Sequence, residues 1–133
     1  MKKRILIAEN DLALRKLIEF VMNKDFDVIC VENGAEALTL LETTEDFDLL
    51  IADIDLESLN GFELTGKVRQ HPYLKNLPVI LITEARENTA HLDCFQVGAD
   101  EILVKQFNPI EMMLKVHRLL LSKQTEVIGK FQP

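Results

Sequence analysis

Five short apolar runs alternate with five segments whose apolar residues recur at helical spacing, and this alternation constrains the fold more than any other feature of the sequence. The third run, from Leu49 to Ala52, has no polar interruption, which is typical of a strand buried on both faces of a parallel sheet. Parallel neighbours need a long crossover, and each crossover here has room for one helix. The sequence therefore predicts an α/β domain with helices on both faces of a five-stranded parallel sheet.

The order of the strands follows from the connections between them. Right-handed crossovers leave few arrangements, and the doubly wound, flavodoxin-like order 2-1-3-4-5 is the expected one. The predicted strands are residues 4–8, 26–31, 49–52, 78–83 and 101–104. The predicted helices begin at residue 11, after the caps Asn33 and Asn60, near residue 89 and at residue 109, and the last is expected to end near residue 122.

Two helices carry specific expectations about their faces. The apolar stripe of helix one places Arg15 on its solvent side. In helix four, Leu92 and Phe95 are expected to point toward the core. Gly98 follows this helix and is the residue type expected just beyond a helix C-terminus.

Length and charge limit the function. At 133 residues the chain fits one domain, expected at residues 1–122, with 123–133 as a C-terminal tail or the start of a linker. The net charge of −7 and the lack of a Lys/Arg block argue against direct binding to nucleic acid. No apolar stretch approaches the ~20 residues of a membrane span or resembles a signal peptide, so we expect a cytoplasmic protein without membrane contact. Cys30 and Cys94 are expected to be reduced thiols.

Polar residues stand where four of the five predicted strands end. Glu9 and Asn10 follow strand one, Asp53 follows strand three, Thr83 ends strand four and Lys105 follows strand five. In the order 2-1-3-4-5 these strands are neighbours, so their ends converge at the carboxyl edge where such sheets bind ligands. An isolated aspartate there would more simply be a solvated strand end. The convergence of several polar residues is what indicates a site.

This set of side chains suits phosphoryl transfer. Glu9 and Asp53 can hold Mg²⁺, which usually takes one or two protein carboxylates and keeps several waters. Asp53 can attack a phosphoryl group as a nucleophile. Thr83 can donate a hydroxyl, and Lys105 can supply a cation, to the phosphoryl oxygens on which charge must be neutralised.

With these residues in place, the sequence resembles the receiver domain of bacterial response regulators (CheY-like) in two-component signalling. The resemblance covers nearly the whole span from Lys3 to about Leu121. Each matching piece is weak alone, but five in order at the right spacing are specific. The pieces are Ile5-Leu6-Ile7-Ala8-Glu9-Asn10, Asn33-Gly34-Ala35-Glu36-Ala37-Leu38, Asp53 followed by Asn60-Gly61-Phe62-Glu63-Leu64, Pro78-Val79-Ile80-Leu81-Ile82-Thr83, and Gly98-Ala99-Asp100-Glu101-Ile102-Leu103-Val104-Lys105.

The resemblance implies a role for each site residue. Asp53 would accept a phosphoryl group from a histidine kinase or a phosphotransfer protein, Thr83 would hydrogen-bond a phosphoryl oxygen, and Lys105 would pair with it. Mg²⁺ would be bound by Glu9, Asn10, Asp53 and the backbone carbonyl of Asp55, whose own side chain is expected to be solvated. The protein would be a phosphoacceptor that assists its own phosphoryl transfer and dephosphorylation, and not otherwise an enzyme.

The resemblance also implies an output surface. Helix four, strand five and helix five, residues 89–121, would rearrange and signal to a downstream protein or to an output domain that this sequence lacks. Helix five carries more apolar residues than one inward stripe requires. The excess would suit a homodimer formed through the same surface.

Three residues depart from the family pattern. The family usually has two acids where this chain has Glu9-Asn10, so we expect weaker Mg²⁺ binding. Gln106 replaces the proline that usually follows the lysine through a cis bond, so we expect a trans bond here and a slightly displaced start of helix five. Ile102 replaces the aromatic residue whose rotamer accompanies activation in many receivers, which leaves coupling through Thr83 alone.

Two other functions remain open at this point. A receiver fold that docks partners without being phosphorylated would account for the three departures, but not for the retained Asp53. The segment Asp53-Ile54-Asp55 also matches the aspartate-x-aspartate start of haloacid-dehalogenase-like phosphatases. Those enzymes place the motif after the first strand of a larger domain, whereas here two strand-helix units precede it.

Overall fold

A computed structural model describes residues 2–44 and 46–130 of the chain. Within these residues, strands and helices alternate as the sequence predicts. The strands are β1 (Arg4–Ala8), β2 (Asp27–Val31), β3 (Leu49–Asp53), β4 (Val79–Thr83) and β5 (Glu101–Val104). The helices are α1 (Leu12–Met22), α2 (Gly34–Thr43), α3 (Gly61–Gln70), α4 (Asn88–Val97) and α5 (Pro109–Lys130).

The five strands form one parallel sheet in the order β2-β1-β3-β4-β5, which confirms the predicted doubly wound topology. The register brings the strand ends level with one another. Ala8 pairs with Ala52, and Thr83 pairs with Val104. The residues that end or follow β1, β3, β4 and β5 therefore lie along one edge of the sheet.

The sheet separates two apolar layers, because alternate residues of each strand point to opposite faces. Leu6, Leu50 and Leu81 pack on one face with residues from α2, α3 and α4. Ile5, Ile51 and Ile80 pack on the other face with residues from α1 and α5. Every residue of β3 and β4 is buried, which confirms that the uninterrupted apolar runs are central strands.

Side-chain caps start α2 and α3 where the sequence predicts them. Asn33 accepts a hydrogen bond from the Glu36 backbone N–H at the start of α2. Asn60 and Glu63 form a reciprocal capping box at the start of α3. Gly98 follows α4 with φ of 116°, a left-handed conformation that glycine adopts without strain.

The predicted inward face of α4 is wrong. Leu92 and Phe95 are 55% and 45% exposed, whereas Cys94 is buried. The helix carries two apolar stripes, because Cys94 and Val97 share a second face, and that face packs against the core. Periodicity identifies a stripe but does not choose between two of them, and here the smaller side chains fit against the sheet.

The predicted end of α5 near residue 122 is also wrong, because the helix continues to Lys130. The added segment lacks an apolar stripe, which is why the sequence pattern missed it. Extending an existing helix costs far less than starting one, so good helix-forming residues such as Lys123 and Gln124 can continue it. Residues 131–133 of the predicted tail lie outside the described residues. Across residues 2–44 and 46–130, no helix has the length and apolarity needed to cross a bilayer.

Gly34 allows a close backbone contact between α2 and the loop after β3, and this contact predicts a stability change. A Cβ at Gly34 would lie 1.7 Å from the Leu59 carbonyl oxygen, so Gly34→Ala should lower the free energy of unfolding by about 1–3 kcal/mol. The matched control is Gly66→Ala in the middle of α3, where a Cβ would lie 3.9 Å from Val97 Cγ2. This control should raise stability by about 0.5–1 kcal/mol. Urea unfolding measures both changes, and a Gly34→Ala protein as stable as the native one would contradict the prediction.

Candidate active site

Backbone hydrogen bonds extend beyond the strand ends and fix the predicted site residues in place. The Glu9 N–H donates to the Val31 carbonyl at 3.0 Å, and the Lys105 N–H donates to the Thr83 carbonyl at 2.7 Å. Asp53 is the last residue of β3, between β1 and β4. The structure thus brings Glu9, Asp53 and Lys105 together, as the strand order predicts.

Asp53 is the centre of the site, and its side chain is fully buried. Its Oδ1 accepts a hydrogen bond of 2.8 Å from the Asp55 backbone N–H. Its Oδ2 lies 2.9 Å from Lys105 Nζ. This contact is an ion pair without the alignment of a hydrogen bond, since Oδ2 has no hydrogen-bond partner among the described residues. The carboxylate is oriented by the backbone on one side and neutralised by Lys105 on the other.

Glu9 places a second buried carboxyl group beside Asp53. Its Oε1 accepts a hydrogen bond of 3.1 Å from the Asp11 backbone N–H. Burial first, and then the adjacent Asp53 carboxylate, raise the pKa of Glu9 to about 8. At neutral pH the Glu9 carboxyl group therefore keeps a proton.

Lys105 is the only cation that this pair contacts within the described part of the chain. Burial lowers the pKa of Lys105, but the nearby carboxylates, Asp53 first among them, outweigh that effect and raise it above the ordinary value. The ammonium group therefore stays charged at neutral pH. The site therefore has one ammonium group for two buried carboxyl groups.

The carboxyl oxygens of the site fit a divalent cation. Glu9 Oε2 and Asp53 Oδ2 are both buried without a hydrogen-bond partner in the described residues. Two oxygens in that state are ligands that a hard cation such as Mg²⁺ would satisfy, and Mg²⁺ needs only one or two protein carboxylates. No cluster of three His, Cys, Asp or Glu side chains suited to a metal exists in residues 2–44 and 46–130, which is consistent with Asn10 standing in the position of a third acid.

Thr83 lies at the end of β4 and is almost fully buried. Its Oγ1 accepts a hydrogen bond of 3.0 Å from the Ala85 backbone N–H, so its side chain is tied to the loop between β4 and α4. Accepting that bond uses a lone pair and leaves the O–H group able to donate to another oxygen. Thr83 is thus placed at the predicted edge of the sheet, with its hydroxyl linked to the loop that precedes α4.

The remaining predicted positions lie around this centre. Asn10 and Asp55 are exposed, which for Asp55 agrees with the solvated side chain that was expected. The bond between Lys105 and Gln106 is trans, as predicted, and Gln106 has φ of 68°. This left-handed conformation is uncommon for a residue other than glycine. Ile102 is buried, and its carbonyl accepts a hydrogen bond of 2.6 Å from Lys115 Nζ.

Three site residues were missed or misplaced by the sequence patterns. Arg15 does not face solvent, because its guanidinium donates a hydrogen bond of 3.0 Å to the Glu9 carbonyl. Gly61 predicts a helix start, but it also lets α3 approach the site, since a Cβ there would lie 2.6 Å from the Asp53 carbonyl oxygen. Glu84 lies 3.7 Å from Lys105 Nζ. Its position directly after Thr83 at a strand end was the one signal that could have identified it.

Comparison with known proteins identifies the family and the fold. A family model for the response regulator receiver domain matches residues 5–117. The chain belongs to this family. The transcriptional regulatory protein SrrA of Staphylococcus aureus is 29% identical over 134 residues, which cover 100% of this chain and 54% of that protein. This receiver domain therefore spans about half the length of the curated relatives that it matches.

Solved structures show the same fold. A CheY-like response regulator receiver domain protein from Methanospirillum hungatei superimposes with a TM-score of 0.85 at 25% identity, covering 95% of this chain and 99% of that one. The receiver domain of the sensor histidine kinase PA1611 from Pseudomonas aeruginosa superimposes with a TM-score of 0.82 at 23% identity, over 90% of this chain and 98% of that one. The PA1611 domain has a magnesium ion coordinated in its active-site cleft.

The raised pKa of Glu9 predicts how stability depends on pH. Between the ordinary pKa of 4.5 and about 8, the folded protein keeps a proton that the unfolded chain releases. Without Mg²⁺, stability should therefore be highest below this range and fall as pH rises through it, by at most about 1.4 kcal/mol per pH unit for one proton. Urea unfolding in a chelator across this range measures the slope. Glu9→Gln cannot titrate and should flatten it, and equal slopes for both proteins would refute the assignment.

Proposed function

We propose that this receiver domain accepts a phosphoryl group on Asp53 from a histidine kinase or a phosphotransfer protein. The observation that carries the proposal is the state of the Asp53 carboxylate. It is fully buried, oriented by a backbone N–H, and paired with Lys105 Nζ at 2.9 Å at the carboxyl edge of the sheet. Burying a charge is costly unless the charge is paired and hydrogen-bonded, and a carboxylate held in this way can act as a nucleophile.

The proposed transfer is a displacement at phosphorus. An oxygen of Asp53 forms a new O–P bond while the N–P bond of phosphohistidine breaks. The bonding electron pair stays on the ring nitrogen, which leaves as neutral imidazole when the other ring nitrogen carries a proton. Lys105 pairs with the Asp53 carboxylate before the transfer and is close enough to pair with the phosphoryl oxygens after it. Thr83 can donate a hydrogen bond from its O–H group to one of these oxygens.

Mg²⁺ is the proposed cofactor. Glu9, Asn10, Asp53 and the backbone carbonyl of Asp55 would hold it, with water completing its shell. When bound, Mg²⁺ neutralises charge on the transferred phosphoryl group. Support comes from the two partnerless carboxyl oxygens of this site and from the magnesium ion in the cleft of the PA1611 receiver. Asn10 offers a neutral oxygen in place of a carboxylate, so it attracts the cation less strongly than a second acid would.

The proposed output surface consists of α4, β5 and α5. Thr83 is linked through Ala85 to the loop before α4, so a shift of the Thr83 hydroxyl toward a phosphoryl oxygen would break or move that hydrogen bond. The surface already exposes large apolar side chains that a partner or a second copy could cover, namely Leu92, Phe95, Ile110 and Leu114. We propose that it signals to a downstream protein or an output domain, and that it also supports homodimers.

The second candidate is a module that docks partners without being phosphorylated. Two observations favour it, because Asn10 is exposed and neutral, and Ile102 is a buried aliphatic residue without a ring to rotate. The haloacid-dehalogenase-like alternative loses support from the family match. Asp53 ends the third strand of a receiver fold, and not the first strand of a larger domain.

Phosphorylation is tested by intact mass after incubation with a small phosphodonor and Mg²⁺. The native protein should gain one phosphoryl group, and Asp53→Asn should gain none because an amide is not a competent nucleophile. Glu57→Gln is a control that removes one exposed acid from the loop after β3 and should be labelled like the native protein. A native protein that stays unmodified with this donor and with a panel of histidine kinases would favour the docking module.

The role of Asn10 is tested by restoring the acid. Asn10→Asp adds a unit charge close to the cation and should tighten Mg²⁺ binding by about tenfold or more, since unit charges at ~4 Å interact by several kcal/mol at an effective dielectric near 20. Calorimetric titration measures the affinity. Asn76→Asp makes the same change at the opposite edge of the sheet, before β4, and should leave the affinity unchanged. Equal affinities for the native and Asn10→Asp proteins would exclude Asn10 from the metal site.

A further inference from the structure

Lys105 is shared between two carboxylates, and the second has no place in the transfer described above. Its Nζ lies 2.9 Å from Asp53 Oδ2 and 3.7 Å from Glu84 Oε1. The two acids differ in exposure, because Asp53 is fully buried whereas the Glu84 side chain is 74% exposed. Glu84 is therefore at the solvent end of the ion pair, and Asp53 is at its buried end.

Glu84 also lines the opening beside the site. A groove of about 490 Å³ is bounded by Asp11, Leu14, Glu84, Arg86, Lys105 and Gln106. Lys105 belongs both to this groove and to the contact with Asp53, so it connects the groove to the buried carboxylate. Arg86 and Lys105 give the groove two cations, while Glu84 and Asp11 give it two anions. An incoming anion is attracted by the first pair and repelled by the second.

We propose that the Glu84 carboxylate is a charge gate at the mouth of the Asp53 site, which disfavours dianionic acyl phosphates relative to N-phosphoryl donors of lower negative charge. The inference rests on the proposed phosphoacceptor function and names the class of donor that the site prefers. Acetyl phosphate is dianionic near neutral pH, whereas phosphoramidate and a phosphohistidine with a protonated ring are monoanionic overall. Each unit of negative charge on the donor is repelled by Glu84, so the dianion is slowed more than the monoanion.

Glu84 has a second effect, which acts through Lys105. By sharing the ammonium group, it draws positive charge away from the Asp53 end of the site, and this lowers the help that Lys105 gives to any donor. That effect is the same for both donor classes. The dependence of rate on donor charge therefore separates a gate from an ion pair that merely positions Lys105.

The size of the gate follows from Coulomb's law in a well-hydrated groove. Two unit charges ~4 Å apart in water interact by about 1 kcal/mol, and the interaction halves when the distance doubles. Removing the Glu84 charge should then raise the rate roughly twofold per unit of donor charge, which is about fourfold to fivefold for acetyl phosphate and about twofold for phosphoramidate. Salt shortens the reach of exposed charges to about 10 Å at 0.1 M and about 3 Å at 1 M, so the difference between donors should shrink at high salt.

The experiment compares the native protein, Glu84→Gln and Glu87→Gln. Glu87 is an exposed acid in the same loop that makes no side-chain cap to α4, so its variant is matched in charge and shape. Phosphorylation rates are measured by intact mass with saturating Mg²⁺, using acetyl phosphate and phosphoramidate at low and high salt. In each reaction Asp53 forms an O–P bond, and the donor's O–P or N–P bond breaks to release acetate or ammonia. Sulfate, which is dianionic and cannot be transferred, is titrated in parallel and followed by the Ala85 and Lys105 amide signals in NMR spectra.

The expected result is a larger gain with acetyl phosphate than with phosphoramidate in Glu84→Gln, reduced by salt, together with tighter sulfate binding. Glu87→Gln should match the native protein. Equal gains for both donors, or the same gains in Glu87→Gln, would overturn the gate while leaving phosphorylation of Asp53 intact. If no protein is labelled by either donor, the panel of histidine kinases decides the phosphoacceptor function, and the sulfate affinities alone decide the gate, with equal affinities overturning it.

Discussion

The site depends on one electrostatic imbalance, in which two buried carboxyl groups face a single ammonium group. Asp53 and Glu9 lie together at the carboxyl edge of the sheet, and Lys105 contacts only one of them closely. The imbalance can be resolved by a proton on Glu9 or by a divalent cation between the two carboxyl groups. Burying a charged group that lacks a full set of partners lowers the free energy of unfolding. The surrounding structure has to offset that loss and hold the group in position.

The fold supplies that support mostly through the backbone. Ladder hydrogen bonds beyond the strand ends fix Glu9 and Lys105, and the Asp55 N–H orients the Asp53 carboxylate. Gly61 lets the first turn of α3 press against the backbone of Asp53, where any side chain would collide. These contacts use main-chain atoms. Substitutions of the side chains that follow the strand ends, here called the rim of the site, therefore leave the backbone support of Asp53 in place. Two departures from the family pattern, Asn10 and Gln106, lie on that rim, whereas Ile102 is buried within β5.

Residues of the rim can change the properties of this receiver domain without changing its fold. Asn10 changes the charge available to a cation, and Gln106 places the residue after Lys105 in a left-handed conformation. Glu84 adds an exposed acid that competes for the same ammonium group as Asp53. None of these residues alters the sheet, because each follows the end of a strand. Their effects fall on the entry of ligands and on the coupling between Thr83 and α4.

The sequence by itself determined the strands, the topology and the centre of the site. Uninterrupted apolar runs identify β3 and β4. Parallel pairing then brings Glu9, Asp53 and Lys105 to one edge of the sheet, because each of them ends or follows a strand. Only the tertiary structure decided which apolar stripe of α4 packs inward, that α5 continues to Lys130, and that Arg15 and Glu84 reach the site. The reason is physical. Periodicity reports how residues are spaced along one element, whereas side-chain direction and competing charges depend on contacts between elements that lie far apart in the chain.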